Sequence, residues 1–114
     1  MKLKKILVAN RGEIALRIIK TIKEMGLEAV AMYVEIDKNS VYVQNSDHAF
    51  KLDNGYMDQD EIINKAFVEL GLDIFRIQNR YLHVGGNHAN TSDAVKDILT
   101  EAESQIGRDI KVLM

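Results

Sequence analysis

Short apolar runs alternate with segments of helical period, and this order constrains the fold more than any other feature of the sequence. Runs with the length and composition of buried strands are "KILVAN" at 5–10, "EAVAMYV" at 28–34, "HAFKL" at 48–52 and "DIKVLM" at 109–114. Parallel strands need long crossovers, usually helical. The order therefore predicts an α/β fold with a doubly wound, mostly parallel, Rossmann-like sheet of about five strands and helices on both faces.

Three longer helices are predicted between these strands. The first covers Glu13–Met25 and ends before Gly26, a residue type that favours helix C-termini. The second begins at Asp58, with Glu61 at the capping-box position, and ends at Gly71. The third long helix runs from Asn90, Thr91 or Ser92 to Ile106, and a short helix is expected around Val41 and Val43. Each long helix has an expected inner face: for the first Ile14, Ile18, Ile22 and Met25, for the second Ile62, Ile63, Ala66, Phe67 and Leu70, and for the third Ala94, Val95, Ile98, Leu99 and Ala102.

The stretch "LDIFRIQNRYLHVGG" at 72–86 allows three interpretations. We favour a strand at 73–77, which completes the alternation. A hairpin turning at Asn79–Arg80 is the second interpretation. A strand "YLHV" at 81–84, with residues 72–79 extending the preceding helix, is the third.

Composition excludes several classes of protein. The chain has 114 residues, which suits one domain, 1–114. It has no cysteine, a net charge of −2 and no apolar run long enough to span a membrane. We therefore expect a cytoplasmic protein that binds neither nucleic acid nor membrane.

The first candidate site is the corner within "VANRGEIALRII", 8–19. Asn10, Arg11 and Gly12 follow a strand and open a helix, where free N–H groups attract anions. However, the corner has one glycine instead of the three of a dinucleotide fingerprint, and it lacks the Gly-Lys-Ser/Thr of a P-loop. Glu13 would repel an anion. We favour a structural turn in which Gly12 permits close approach of strand and helix.

The second candidate site is "HVGGNHANTSD", 83–93. Gly85 and Gly86 follow a possible strand, and Asn90 lies at a helix start, so backbone N–H groups there are able to cradle an anion. A flexible turn followed by a helix cap explains the same residues, and we favour it.

No metal site and no catalytic residue is predicted. His83, His88 and Asp93 lack the i, i+4 spacing of a helical metal site. His48 begins a short strand, which favours a structural role. No Ser-His-Asp set or pair of catalytic carboxylates is recognisable.

Beyond these patterns, residues 4–52, "KKILVANRGEIALRIIKTIKEMGLEAVAMYVEIDKNSVYVQNSDHAFKL", closely resemble the N-terminal, pre-ATP-grasp domain of biotin carboxylases. These are the subunits or domains that carboxylate biotin in acetyl-CoA, pyruvate and propionyl-CoA carboxylases. The resemblance is strong over about residues 4–58 and weak thereafter. The matching residues are Ala9 to Ala15, Gly26, Val30 to Tyr33, Glu35, Asp37, Ser40, Asp47 to Ala49 and Tyr56-Met57-Asp58.

The resemblance implies a scaffold function. In this family ATP lies mainly in the ATP-grasp domains that follow, which 114 residues have no length to contain. The corner Asn10, Arg11, Gly12, Glu13 then belongs to the scaffold. ATP, Mg and biotin are implied for the parent enzyme, an ATP-dependent ligase, with the ATP-grasp domains and a biotin carrier protein as partners. The chain alone is expected to be catalytically inactive.

The resemblance also implies a subunit contact. Arg17, Lys20 and Glu24 share one helix face, and the matching face in dimeric family members lies at or near the dimer contact. A solvated face with Glu13–Arg17 and Lys20–Glu24 pairs is the structural alternative.

The second half of the chain departs from the family. The family's His-Pro-Gly-Tyr-Gly-Phe-Leu-Ser-Glu-Asn loop is replaced here by "RYLHVGGNHANTSD", 80–93, so no active-site residue is carried over from it. Two alternatives therefore remain: a stand-alone nucleotide- or small-molecule-binding module using Gly85, Gly86 and Asn90, and a homodimeric interaction domain.

Overall fold

The computed structural model of the protein describes residues 5–56, 58–70, 75–76, 91–105 and 110–113. Within these ranges five strands form one sheet in the order β3-β2-β1-β5-β4, and all four neighbouring pairs are parallel. The predicted α/β class is therefore confirmed. The strands are β1 Lys5–Val8, β2 Glu28–Tyr33, β3 His48–Lys51, β4 Phe75–Arg76 and β5 Ile110–Leu113.

The described helices lie within one or two residues of the predicted positions. They are α1 Gly12–Glu24, α2 Val41–Asn45, α3 Gln59–Leu70 and α4 Thr91–Gln105. A 3₁₀ turn at Glu35–Asp37, which was not predicted, links β2 to α2. None of the described helices is long and apolar enough to cross a membrane.

Helices cover both faces of the sheet, as predicted. α1, α2 and α4 contribute to one hydrophobic cluster, and α3 contributes Ile62 to the other. The crossovers β1→β2, β2→β3 and β4→β5 run in one direction along the sheet, whereas β3→β4 runs back across it over the opposite face. All four crossovers therefore have the same hand, as packing of helices on twisted parallel strands requires.

The core is built around β1, which is buried on both faces. Ile6 and Val8 contribute to the cluster under α1, α2 and α4, whereas Leu7 belongs to the cluster under α3. All three side chains are fully buried. The continuous apolar run that predicted this strand is thus explained by contacts on both of its sides.

The fourth strand supports the favoured interpretation of residues 72–86. Phe75 and Arg76 pair with Lys111 and Val112 of β5, inside the predicted strand 73–77. The interpretation that extends a helix through residues 72–79 is wrong, because these two residues pair as a strand. The hairpin at 79–80 and the strand at 81–84 lie outside the described residues.

The start of α3 corrects the predicted capping box. Asp58 caps the helix as expected, since its Oδ1 accepts a hydrogen bond from the Glu61 backbone N–H at 3.0 Å. Glu61 does not reach back to the Asp58 N–H. Its carboxylate instead accepts hydrogen bonds from the backbone N–H groups of Asp53 and Asn54 at 2.9–3.1 Å. Glu61 thereby fixes the turn after β3 as well as the helix.

We predict that α4 contributes to the stability of the whole sheet. Leu99 is fully buried in the cluster shared with α1, so Leu99→Ala should lower the free energy of unfolding by about 2–5 kcal/mol. Urea denaturation followed by far-UV circular dichroism measures this change. Thr100→Ala, on the exposed side of α4, is the matched control. A Leu99→Ala effect no larger than that of the control would contradict the described packing.

Candidate functional site

The β1–α1 corner is a tight turn at the carboxyl edge of the sheet. β1 ends at Val8 and α1 begins at Gly12, whose φ of +66° lies in the left-handed region that glycine favours. A Cβ built on Gly12 would meet no atom within 4 Å. Close approach of strand and helix, the predicted reason for this glycine, is therefore wrong. The backbone conformation is the actual requirement.

Arg11 bridges this corner to the segment after β2. Its Nη2 donates to Oδ1 of Asp37 at 2.9 Å, and its guanidinium lies 5.3 Å from the centre of the Tyr56 ring. The ring adds a cation–π contact to the ion pair. The positive charge at this corner is therefore directed at a carboxylate of the protein itself.

Asp37 is the centre of a polar cluster that we call the edge cluster, composed of Arg11, Asp37, Tyr42 and Tyr56. Asp37 is only 8% exposed, and its second oxygen, Oδ2, accepts from the Tyr56 hydroxyl at 2.5 Å. The Tyr42 and Tyr56 hydroxyl oxygens are 2.9 Å apart, and Tyr42 also contacts the carbonyl oxygen of Met32 at 3.1 Å. The cluster thus joins the segments that follow β1, β2 and β3.

The electrostatics of the edge cluster keep Asp37 charged and the tyrosines neutral. The hydrogen bond from Tyr56, followed by the hydrogen bond and charge of Arg11, holds the pKa of Asp37 below its ordinary value, although burial opposes this. For Tyr42 and Tyr56, by contrast, burial is the largest cause of the shift, and it raises both pKa values. A buried carboxylate with both oxygens bonded is stabilised in its ionised form.

A second charged group lies beside the edge cluster. Glu35 pairs with Lys38 at 3.0 Å and with Lys51 of β3 at 2.9 Å. The hydrogen bonds from Lys51 and Lys38 are the main reason that the pKa of Glu35 is lowered to about 2. All three side chains are exposed, so water and salt screen these pairs.

A shallow groove of about 410 Å³ runs between the first turn of α1 and residues 39–42. Val41 is 58% exposed at this groove, whereas Tyr42 is buried below it. The groove adjoins the edge cluster through Tyr42. The charged residue in its lining is Glu13, whose carboxylate pairs with Arg17. Its lining does not form a recognisable anion site.

The predicted contact face of α1 is exposed along its length. Arg17, Lys20 and Glu24 are all exposed, and Arg17 Nε lies 3.1 Å from Glu13 Oε1, which confirms one predicted pair. Within the part of the chain that the structure describes, Lys20 and Glu24 do not form the other pair.

Known proteins share the sequence and the fold of a large part of this chain. The family model for the biotin carboxylase N-terminal domain matches residues 2–76. The chain belongs to this family.

The relatives of this biotin carboxylase N-terminal domain are much longer proteins. Biotin carboxylase 1 of Bacillus subtilis is 56% identical over 48 residues, which are 42% of this chain and 11% of that protein. The mitochondrial methylcrotonoyl-CoA carboxylase subunit alpha of Mus musculus is 43% identical over 67 residues, covering 54% of this chain and 9% of that one. The chain therefore spans about a tenth of these relatives' length.

Solved structures show the same relationship. A biotin carboxylase from Campylobacter jejuni, solved as a complex with β-γ-ATP, superposes with a TM-score of 0.58 at 38% identity. The superposition covers 65% of this chain and 18% of that one. The described fold is thus that of the N-terminal domain of carboxylase enzymes.

The predicted site residues fall into three groups in this domain. Asn10, Arg11, Gly12 and Glu13 form the β1–α1 corner, and Arg11 brings that corner to Asp37. The contact-face residues lie on the exposed side of α1. Gly85, Gly86 and Asn90, together with His83 and His88, lie outside the described residues, so the second candidate site stays a prediction. Asp93 is exposed at the start of α4.

Sequence reasoning missed the edge cluster as a unit. Asp37 lies in a polar stretch, which gives no sign of burial, and Tyr56 entered only as part of a family motif. A signal was nevertheless present. Arg11 and Asp37 each follow a strand by three or four residues, and neighbouring parallel strands bring their carboxyl ends together. Unlike charges at those two positions indicate a bridge across the edge.

We predict that the domain loses stability in acid as Asp37 becomes protonated. Because its pKa is lowered in the folded state, its contribution is complete above the unfolded value of about 4 and is lost as pH falls through the folded pKa. Asp37→Asn should therefore flatten the decline of the free energy of unfolding below about pH 5. Urea denaturation at several pH values measures the slope, with Asp60→Asn on exposed α3 as the control. Equal slopes for wild type and Asp37→Asn would refute the prediction.

Proposed function

We propose that this domain is a non-catalytic scaffold of a biotin-carboxylase-type ligase, which uses ATP, bicarbonate and a biotin carrier. The family match over residues 2–76 carries the proposal. The chain covers 9–11% of the two curated relatives above, and the family resemblance implies that ATP-grasp domains perform the chemistry. The domain's partners are then those ATP-grasp domains and the biotin carrier.

The contacts at the carboxyl edge support a scaffold. In open α/β sheets this edge is where ligands commonly bind. Here the charged groups of the described edge are paired with one another: Arg11 with Asp37, and Glu35 with Lys38 and Lys51. Groups engaged in this way hold loops in place before any ligand arrives. In the described ranges no three His, Asp or Glu side chains come together to hold a metal ion.

We predict that the family segment functions when joined to a complete enzyme. In a chimera, residues 5–52 of this chain replace the matching segment of Bacillus subtilis biotin carboxylase 1. The chimera should retain ATP-dependent carboxylation of free biotin, measured by incorporation of labelled bicarbonate, because the segment supplies the same scaffold. The 114-residue chain alone should show no ATP hydrolysis above background.

Two outcomes would contradict the scaffold proposal. Hydrolysis of ATP by the isolated chain, abolished by Asp37→Ala, would give the domain chemistry of its own. A chimera that folds with the parent's thermal midpoint but lacks activity would show that this segment does not fit the rest of the enzyme.

As a second function, we propose that the exposed face of α1 forms a contact between two copies. Lys20 and Glu24 lie one helical turn apart and are exposed, and a two-fold axis across such a face brings unlike charges of two copies together. The exposed positions and the absence of a Lys20–Glu24 pair within the described chain support this proposal.

We predict that reversing one charge on this face separates the copies. Lys20→Glu places like charges opposite one another, so the mass in solution should fall from two chains to one by analytical ultracentrifugation. Lys96→Glu, which reverses an exposed charge on α4, is the control and should leave the dimer intact. An unchanged mass for Lys20→Glu, or a monomeric wild type, would overturn the contact.

A further inference from the structure

The edge cluster has one proton fewer than its contacts require. Three oxygen–oxygen contacts run in a row: Asp37 to Tyr56 at 2.5 Å, Tyr56 to Tyr42 at 2.9 Å, and Tyr42 to the Met32 carbonyl at 3.1 Å. Each contact needs one hydrogen to be a hydrogen bond. While Asp37 is ionised, only the two tyrosine hydroxyls supply hydrogens, so one of the three contacts is unfilled.

The strengths of the contacts decide which one lacks its hydrogen. The contact from Tyr56 to Asp37 is the shortest and involves a charged acceptor, so Tyr56 keeps its hydrogen there. Tyr56 also accepts from the Val34 backbone N–H at 3.3 Å. The hydrogen of Tyr42 must then serve either Tyr56 or Met32. In both cases Tyr42, which is only 2% exposed, donates one hydrogen bond although two oxygens, those of Tyr56 and Met32, lie within hydrogen-bond distance.

A proton on Asp37 resolves this shortage. The protonated carboxyl donates to Tyr56, Tyr56 donates to Tyr42, and Tyr42 donates to Met32, so all three contacts are filled. The same proton removes the negative charge that holds Arg11 at Oδ1 of Asp37. The β1–α1 corner therefore loses its ion pair in the state in which the tyrosine row is complete.

We propose that the edge cluster is a two-state hydrogen-bond relay, in which the charge on Asp37 decides both the direction of the tyrosine hydrogen bonds and the attachment of the β1–α1 corner. In the ionised state Arg11 is held and the row is one hydrogen short. In the neutral state the row is complete and the corner loses its ion pair, so that an uncharged oxygen of residue 37 accepts from Arg11 in place of a carboxylate. The titratable and charged groups that face Asp37 within the described structure are Arg11 from the corner, Tyr56 after β3 and Tyr42 from α2.

Asp37→Asn imitates the neutral state at neutral pH. The asparagine amide donates to Tyr56 while its oxygen still accepts from Arg11, which fills the row. Removing the Tyr42 hydroxyl then breaks two hydrogen bonds, whereas it breaks one in the wild type. Tyr42→Phe should therefore reduce the folding equilibrium constant about fivefold more in the Asp37→Asn background, which corresponds to one hydrogen bond.

The experiment compares wild type, Asp37→Asn, Tyr42→Phe and the double variant by urea denaturation at pH 7. Thr21→Val in both backgrounds is the matched control, because the buried Thr21 hydroxyl contacts Arg17 and Ser92 and lies outside the edge cluster. Its effect should be equal in the two backgrounds. A network that is merely loosened by Asp37→Asn would instead make Tyr42→Phe equally or less costly there, and this result would overturn the relay.

A second measurement needs only wild type and Tyr42→Phe. The effect of Tyr42→Phe on the folding equilibrium should increase as pH falls from 7 into the acid range in which Asp37 binds its proton, which lies below the range of an ordinary aspartate. It should stay constant over the same range if the relay does not exist. Because this comparison avoids the Asp37 variant, it decides the proposal even where the double variant does not fold.

Discussion

The insertion of β1 between β2 and β5 is the constraint on which the rest of the structure depends. Lys5–Val8 pairs in parallel with both neighbours over all four of its residues. Its apolar side chains are divided between the two hydrophobic clusters of the protein. Burial on both faces and hydrogen bonding on both edges fix this strand at the centre of the sheet.

The arrangement at the carboxyl edge follows from that pairing. Since β1, β2 and β3 are neighbours and parallel, the segments that leave them emerge side by side. Arg11, Asp37 and Tyr56 each lie in one of those segments, and their contacts close the edge. Gly12 allows the turn that brings Arg11 there, because its positive φ reverses the chain directly into α1. The Asn-Arg-Gly corner is thus explained by the packing of three loops as well as by its family resemblance.

Local pattern predicted most of the elements, because strands buried on both faces are continuously apolar and amphipathic helices repeat every 3.6 residues. It could not predict the burial of Asp37, whose sequence neighbours Ile36 and Lys38 are both exposed. A two-residue strand such as Phe75–Arg76 carries no periodicity of its own and is recognised through its partner β5. The capping role of Glu61 was misjudged for a related reason, since the backbone N–H groups that donate to its carboxylate belong to a turn outside the helix.

The strand order has a consequence for the synthesis of the protein. Among the described strands β5 leaves the ribosome last, yet it takes the place beside β1, about a hundred residues earlier in the chain. The segment matched by the family ends at residue 76, before this strand begins. Until residues 110–113 are made, one edge of β1 presents unpaired backbone groups to other nascent chains. The hydrogen bonding of β1 on this side is thus completed only after residues 110–113 have been made.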